Sequence, residues 1–158
     1  MRVLILTISD SVATGKYPDR SGPVVQTRCR ELGWEIVESF TLPDEREAIA
    51  AFLKKSADTN KVDLVLTTGG TGVGPRDVTP EATIEVAERN IPGFAEQMRA
   101  AGLKKTPRAI LSRAVAVIRG TTIIVNLPGS PTGAVESLDV IADLIPHAID
   151  VLHGAHHG

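Results

Sequence analysis

Val62-Asp63-Leu64-Val65-Leu66-Thr67-Thr68 runs without a break into Gly69-Gly70-Thr71-Gly72-Val73-Gly74, and this passage decides the fold. A short apolar run that ends in glycine reads as a strand buried on both faces of a sheet, with a tight loop at its carboxyl end. Upstream, Val3-Leu4-Ile5-Leu6-Thr7-Ile8 has the same character. Ser21–Leu32 between them has a helical pattern, with Ser21 as its N-cap and Gly33 as its stop. Trp34–Leu42 reads as a strand with Trp34, Ile36, Phe40 and Leu42 on one apolar face, broken by Glu38. Asp44–Ala57 follows as a helix, with Ala48, Ile49, Phe52 and Leu53 on one side.

Downstream, Thr79-Pro80 opens a helix in the favoured cap and first-turn order. Ile91-Pro92-Gly93 separates it from a shorter helix, Phe94–Ala101. Ala114–Ile118 and Thr121–Leu127 are strand-like, and Arg119-Gly120 between them is too short for a parallel crossover, so the two pair antiparallel. Ser130-Pro131 begins a last helical region, interrupted near Pro146 and stopped by Gly154. Strands alternating with helices imply an α/β fold with a mainly parallel central sheet and an antiparallel strand pair near the C-terminal part. The expected organisation is one domain over residues 1–154 and a flexible tail over 155–158.

Composition narrows the function. The 158 residues carry 17 basic and 19 acidic side chains, for a net charge of −2. Without a basic surplus to neutralise phosphates along a duplex, nucleic acid is not an expected partner. The single cysteine, Cys29, excludes an internal disulfide and a cysteine-based zinc site, and its mid-helix position reads as packing. The run from Val3 to Ile8 is far shorter than the ~18 apolar residues of a membrane span. The expectation is a soluble, cytoplasmic protein. His147, His153, His156 and His157 cluster near the C-terminus, around or beyond Gly154, where fraying argues against a catalytic metal site.

Two loops join the carboxyl end of a strand to a helix, the edge at which open α/β sheets bind ligands. The first runs from Thr67 to Pro80 and holds Gly69, Gly70, Gly72 and Gly74, then Arg76 and Asp77. Its glycines let backbone N–H groups turn towards an anion, Thr71 adds a hydroxyl and Arg76 adds a charge. A tight turn without function would also collect glycine. Pro75-Arg76 stands where a P-loop needs Lys-Ser/Thr, and the glycine spacing is not that of a Rossmann loop, so the pattern fits a phosphate site of another kind. A flavin or nicotinamide oxidoreductase is disfavoured further by a store of only five aromatic residues. The second loop, Asn126-Leu127-Pro128-Gly129-Ser130-Pro131, is stiffened by proline and lets Ser130 cap the next helix. Asp44 and Asp77 each follow a strand on this edge, which makes them candidates for Mg²⁺ beside substrate phosphates, although Asp44 also suits a helix N-cap.

Taken together, Thr67-Thr68-Gly69-Gly70-Thr71-Gly72, Arg76-Asp77-Val78-Thr79-Pro80-Glu81-Ala82-Thr83 and Leu127-Pro128-Gly129-Ser130-Pro131 resemble the Mog/MoaB-type molybdopterin adenylyltransferases of molybdenum cofactor synthesis, related to domains of gephyrin. Ile8-Ser9-Asp10, Asp19-Arg20-Ser21-Gly22, Pro43-Asp44-Glu45, Pro92-Gly93-Phe94 and Ile110-Leu111-Ser112-Arg113 extend the resemblance in the family's order across nearly the whole chain. The resemblance implies a three-layer sandwich that assembles as a homotrimer or hexamer. It implies an enzyme that converts MgATP and molybdopterin to adenylyl-molybdopterin and pyrophosphate. It assigns Asp44 and Asp77 to Mg²⁺ and to the reacting phosphates, Gly69, Gly70, Thr71 and Gly72 to nucleotide phosphate, and Pro128, Gly129 and Ser130 to adenosine. Asp19, Ser21, Gly22, Ser112 and Arg113 fall on the pterin side. Hand-over of the product to other cofactor proteins is a further implication. A non-catalytic molybdopterin carrier with the same pocket is the alternative.

Overall fold

The computed structural model describes residues 1–154; the expected tail 155–158, with His156 and His157, lies outside the described residues. Six strands form one sheet in the order β2-β1-β3-β6-β5-β4. They are β1 (Arg2–Ile8), β2 (Glu35–Leu42), β3 (Leu64–Thr68), β4 (Arg89–Asn90), β5 (Ala116–Arg119) and β6 (Thr122–Leu127). β1, β2, β3 and β6 run parallel, whereas β5 is antiparallel to both β6 and β4. β1, β3 and β6 are buried on both faces, which is why their sequences are nearly continuous apolar runs.

Helices cover both faces. One cluster joins Val3, Ile5, Leu64, Leu66, Ile123 and Val125 to α2 (Ser21–Glu31), α5 (Pro92–Leu103), α6 (Pro131–Ile141) and α7 (Leu144–Leu152). The opposite cluster joins Leu4, Leu6, Val65 and Ile124 to α3 (Arg46–Asp58) and α4 (Thr79–Val86). The result is a three-layer α/β sandwich. Among the described residues no helix is long and apolar enough to cross a membrane.

Several local expectations change. β2 does not keep one apolar face. Its pairing with β1 steps from Val3↔Ile36 to Leu4↔Glu38, so Val37 is a bulge residue that reverses the side-chain alternation. Ile36 consequently packs on the first cluster and Leu42 on the second, while Phe40 remains 42% exposed. The helix after Pro92 is the longer of its pair, at 12 residues against 8 for α4. Pro146 does not interrupt a helix. It lies in the first turn of α7, where a missing N–H breaks no helical bond, and the gap between α6 and α7 falls at residues 142 and 143. Four further features carry no strong periodic signal: α1 (Asp10–Ala13), β4, and a 3-10 turn at Pro107–Leu111 that packs beside α5, together with the bulge itself.

Chain order and strand order together position the site. From β1 the chain passes to β2 on one side, then returns to place β3 on the other. The carboxyl ends of β1 and β3 therefore flank a switch point, the crevice where such sheets bind ligands.

Candidate active site

Two cavities open at that edge. One, of about 510 Å³, lies over the switch point and is lined by Thr7 and Ser9 at the end of β1, Asp19 just before α2, Ser21 at its start, and Asp44 after β2. The second, of about 550 Å³, lies beyond β3, between the ends of β3 and β6 and helices α5 and α6. Its walls include Ala95, Met98, Leu111 and Val140, and Arg99, Lys105 and Arg108 also line it. Gly70, Asp77 and Gly129 line both. The cavities thus share one carboxylate, Asp77, and one glycine from each loop.

The glycine loop is built for close approach. Gly69 and Gly70 have φ of 94° and 68°, a conformation that costs a residue with Cβ about 1–2 kcal/mol. A Cβ on Gly69 would strike the Ile8 carbonyl oxygen, and one on Gly70 would strike the Thr79 hydroxyl. Thr79 does not cap α4 as its position suggests. Its hydroxyl donates to the Gly69 carbonyl at 3.0 Å, locking the loop from beneath. The Gly69 amide is spent on the Leu127 carbonyl at 3.1 Å. Among the described residues, the amides of Gly70, Thr71 and Gly72 donate to no protein acceptor.

Asp44 is not the N-cap of α3 either; Glu45 takes that place without a side-chain bond. Instead Asp44 accepts from the Asp10 amide at 2.9 Å through Oδ2 and donates its own amide to Asp10 Oδ1 at 3.0 Å. Asp10 in turn receives a two-pronged contact from Arg76, at 3.0 and 3.1 Å. Burial lifts the Asp44 carboxyl above the ordinary range, the Asp10 amide opposes that rise, and the charges of Asp10 and Asp77 add to it. The Arg76 guanidinium holds Asp10 below the ordinary range, helped by the Asp44 amide. Asp77 accepts from the Gly74 amide at 2.9 Å through Oδ2. Asp10 escapes the sequence-based assignment of roles, although Ile8-Ser9-Asp10 at the end of β1 carries the relevant signal, and the charge expected of Arg76 is paired with it.

The remaining expected residues divide between the cavities. Asp19 accepts from the Thr7 hydroxyl at 2.7 Å and from the Gly22 amide at 3.0 Å, and Ser21 shares a 2.8 Å hydrogen bond with Thr68 rather than capping α2. Asp19 and Ser21 line the switch-point cavity, while Gly22 packs against Asp19 beneath it. Ser112, Pro128 and Ser130 line the other cavity, where Ser130 caps α6 by accepting from the Gly133 amide at 3.0 Å. Residues expected together on the pterin side are therefore in two places. Arg113 lines neither cavity; its guanidinium is engaged with loop carbonyls and Glu81. Asn126, fully buried near the end of β6, donates to the hydroxyls of Thr67 and Thr83 at 3.0 Å each and accepts from the Val115 amide at 3.1 Å.

Cys29 is inert by comparison: burial pushes its thiol up to about 12. Among the described residues no group of three or more His, Cys, Asp or Glu side chains forms a metal cage.

Known proteins are similar in sequence and in fold. The family model described as "Probable molybdopterin binding domain" matches residues 4–147. The molybdopterin adenylyltransferase of Helicobacter pylori is 42% identical over 152 residues, covering 95% of this chain and 86% of that protein. The molybdopterin adenylyltransferase of Escherichia coli K12 is 40% identical over 169 residues, covering 98% and 86%. Among solved structures, the molybdopterin biosynthesis enzyme MoaB of Thermus thermophilus superposes with a TM-score of 0.91 at 46% identity, over 98% of this chain and 97% of that one. A matched model that spans both loops, and relatives that match over almost their whole length, place the chain in the molybdopterin-binding family of molybdenum cofactor biosynthesis proteins.

Proposed function

We propose that the protein is a molybdopterin adenylyltransferase, which transfers the adenylyl group of ATP to molybdopterin and releases pyrophosphate. The observation that carries this reading is the pair of cavities that share Asp77, Gly70 and Gly129, since a transfer between two bulky substrates needs two compartments that meet at the reacting atoms. The relatives named molybdopterin adenylyltransferase support it.

A terminal phosphate with a second pKa of about 6 is largely dianionic near neutrality, so its oxygen attacks the α-phosphorus without a strong general base. A new P–O bond forms as the α–β P–O bond breaks, and the electron pair leaves with pyrophosphate. In-line placement and charge screening are what remain for the protein to supply. The unspent amides of Gly70, Thr71 and Gly72 face phosphate oxygen, and Pro128, Gly129 and Ser130 border the adenosine. Of the residues that the resemblance puts on the pterin side, Ser112 lines the second cavity and Asp19 and Ser21 line the first, with Gly22 packed against Asp19, whereas Arg113 lines neither.

The negative charge of Asp77 adds to the rise of the Asp44 carboxyl, and a divalent cation between the two would relieve it. Two carboxylates, with phosphates and water completing the shell, form a donor set that Mg²⁺ commonly takes. Bound there, Mg²⁺ would supply charge neutralisation on the triphosphate. We further infer a cytoplasmic homotrimer, with a hexamer as the larger alternative, and hand-over of the product to other cofactor proteins. Exposed Leu103, Ile110 and Leu144 supply apolar surface for contacts between copies.

Pyrophosphate release from MgATP, measured with and without molybdopterin, tests the activity. Release that depends strictly on the pterin supports it. Binding of the pterin without release would instead make the protein a carrier.

A further inference from the structure

One guanidinium holds both ends of the loop that carries Asp77. Arg113 donates through Nε to the Gly72 carbonyl at 2.7 Å and through Nη2 to the Asp77 carbonyl at 2.7 Å. It also grips Glu81, in the first turn of α4, from Nη1 at 2.5 Å and Nη2 at 3.2 Å. Four of the five N–H donors of an arginine are thereby engaged. The Arg113 amide adds a bond to the Thr71 carbonyl at 2.8 Å. The staple is itself anchored: Arg99, from α5, donates to the carbonyls of Ser112 and Ala114, at 3.3 and 2.9 Å, on either side of Arg113.

Resting on the adenylyl-transfer reading, we propose that Arg113 is a positioning residue that closes the loop from Gly72 to Asp77 and so sets the Asp77 carboxylate where the two cavities meet. It acts through backbone carbonyls, not by touching substrate. Its planar fork is what the task requires, because the two carbonyls belong to residues five positions apart and need separate, fixed donors. A lysine in its place keeps a charge near Glu81 yet cannot bridge both carbonyls. Asp77 would then retain its chemistry and lose its place.

The test compares wild-type protein with Arg113→Gln and Arg113→Lys. Steady-state pyrophosphate release gives kcat and KM for MgATP and molybdopterin, and amide hydrogen exchange follows residues 72–77. The expected result is a kcat lower by about a hundredfold in both variants, as misplacement of a reacting group by about an ångström produces. KM for both substrates stays within about threefold, because a group remote from the substrates contributes little uniform binding. Exchange over residues 72–77 speeds up by about tenfold as the local opening becomes easier. Recovery of kcat in Arg113→Lys would overturn the proposal in favour of charge alone. A large rise in KM for molybdopterin at unchanged kcat would overturn it in favour of direct pterin contact. Unchanged exchange would also overturn it, since the loop would then stand without Arg113. If Arg113→Gln does not fold, Arg113→Lys, which retains the pairing with Glu81, decides. Wild-type protein that releases no pyrophosphate would remove the activity and the catalytic part of the proposal with it, while exchange would still report separately on the staple.

Discussion

Asp10 and Asp44 exchange backbone-to-carboxylate hydrogen bonds: the Asp10 amide donates to Asp44 at 2.9 Å, and the Asp44 amide donates to Asp10 at 3.0 Å. The reciprocal pair ties together the carboxyl ends of β1 and β2, and Arg76 extends the tie to the glycine loop. One of the two acids is thereby charge-paired and the other half-buried. Asp10 is neutralised by the guanidinium, whereas Asp44 faces the cleft with a raised carboxyl pKa.

Asp44 sets a pH dependence of definite sign. Its carboxyl is raised, by burial first, so the folded protein holds that proton more tightly than the unfolded chain. This favours folding most below the ordinary value of 3.8, and the benefit is lost as pH rises through the folded value. At pH 7 the ionised carboxylate therefore weighs against the fold. Asp44→Asn should melt higher than wild type at pH 7, with the gap narrowing towards pH 4, while turnover falls by at least about a hundredfold. Thermal melts at the two pH values, set beside pyrophosphate release, check both halves. A variant less stable at pH 7 than wild type would contradict the first.

Gly70→Ala should damage the loop through sterics alone. The added Cβ strikes the Thr79 hydroxyl, lies 3.0 Å from Asp44 Oδ1, and inherits φ of 68°. The left-handed backbone costs about 1–2 kcal/mol before any clash, enough to lower Tm by about 5 °C in a chain of this size. Calorimetry measures the shift.

Asn126→Leu should cost about 2–4 kcal/mol, because it strips partners from the buried Thr67 and Thr83 hydroxyls and from the Val115 amide. Urea unfolding reads the loss as a lower midpoint at unchanged slope. A change below roughly 0.5 kcal/mol in that assay, the scatter of a surface substitution, would mean the network is not intact in solution.

Arg76→Ala should separate stability from function. The Asp10–Arg76 pair is exposed, with 61% of the arginine side chain accessible, so solvent screens it and its removal costs the fold little. The same change takes a positive charge from beside Asp44, at the site proposed for triphosphate. KM for MgATP should rise while Tm stays nearly constant, and added salt should produce a similar rise in wild-type protein.

The parts of the fold legible from sequence are those whose burial is symmetrical. Val3–Ile8 and Leu64–Thr68 are apolar on both faces because helices cover both, so any phase gives the same reading. β2 is an edge strand whose apolar positions change face at Val37, and a bulge depends on pairing with β1 rather than on composition. Pro146 misleads for a similar reason, since proline means a break or a beginning according to where the helix starts. At the site, Asp44, Asp77 and the two glycine loops are legible because strand ends and glycines are local signals. The Arg113 staple joins residues 32 to 41 positions apart, and Asp10 reaches Arg76 across 66. No local pattern records such pairings. Thr79 and Ser21 look like caps for the same reason, with their actual partners at Gly69 and Thr68.

In the proposed reaction two substrates meet at Asp77. The most direct test of this follows the label of α-phosphate-labelled MgATP into molybdopterin, for wild type and Asp77→Asn, with calorimetric binding of each ligand alongside. The expected result is labelled adenylyl-molybdopterin from wild type, a loss of at least about a hundredfold in the variant, and binding of molybdopterin within about threefold in both. Equal labelling by the two proteins, or loss of molybdopterin binding together with activity in a folded Asp77→Asn, would contradict it.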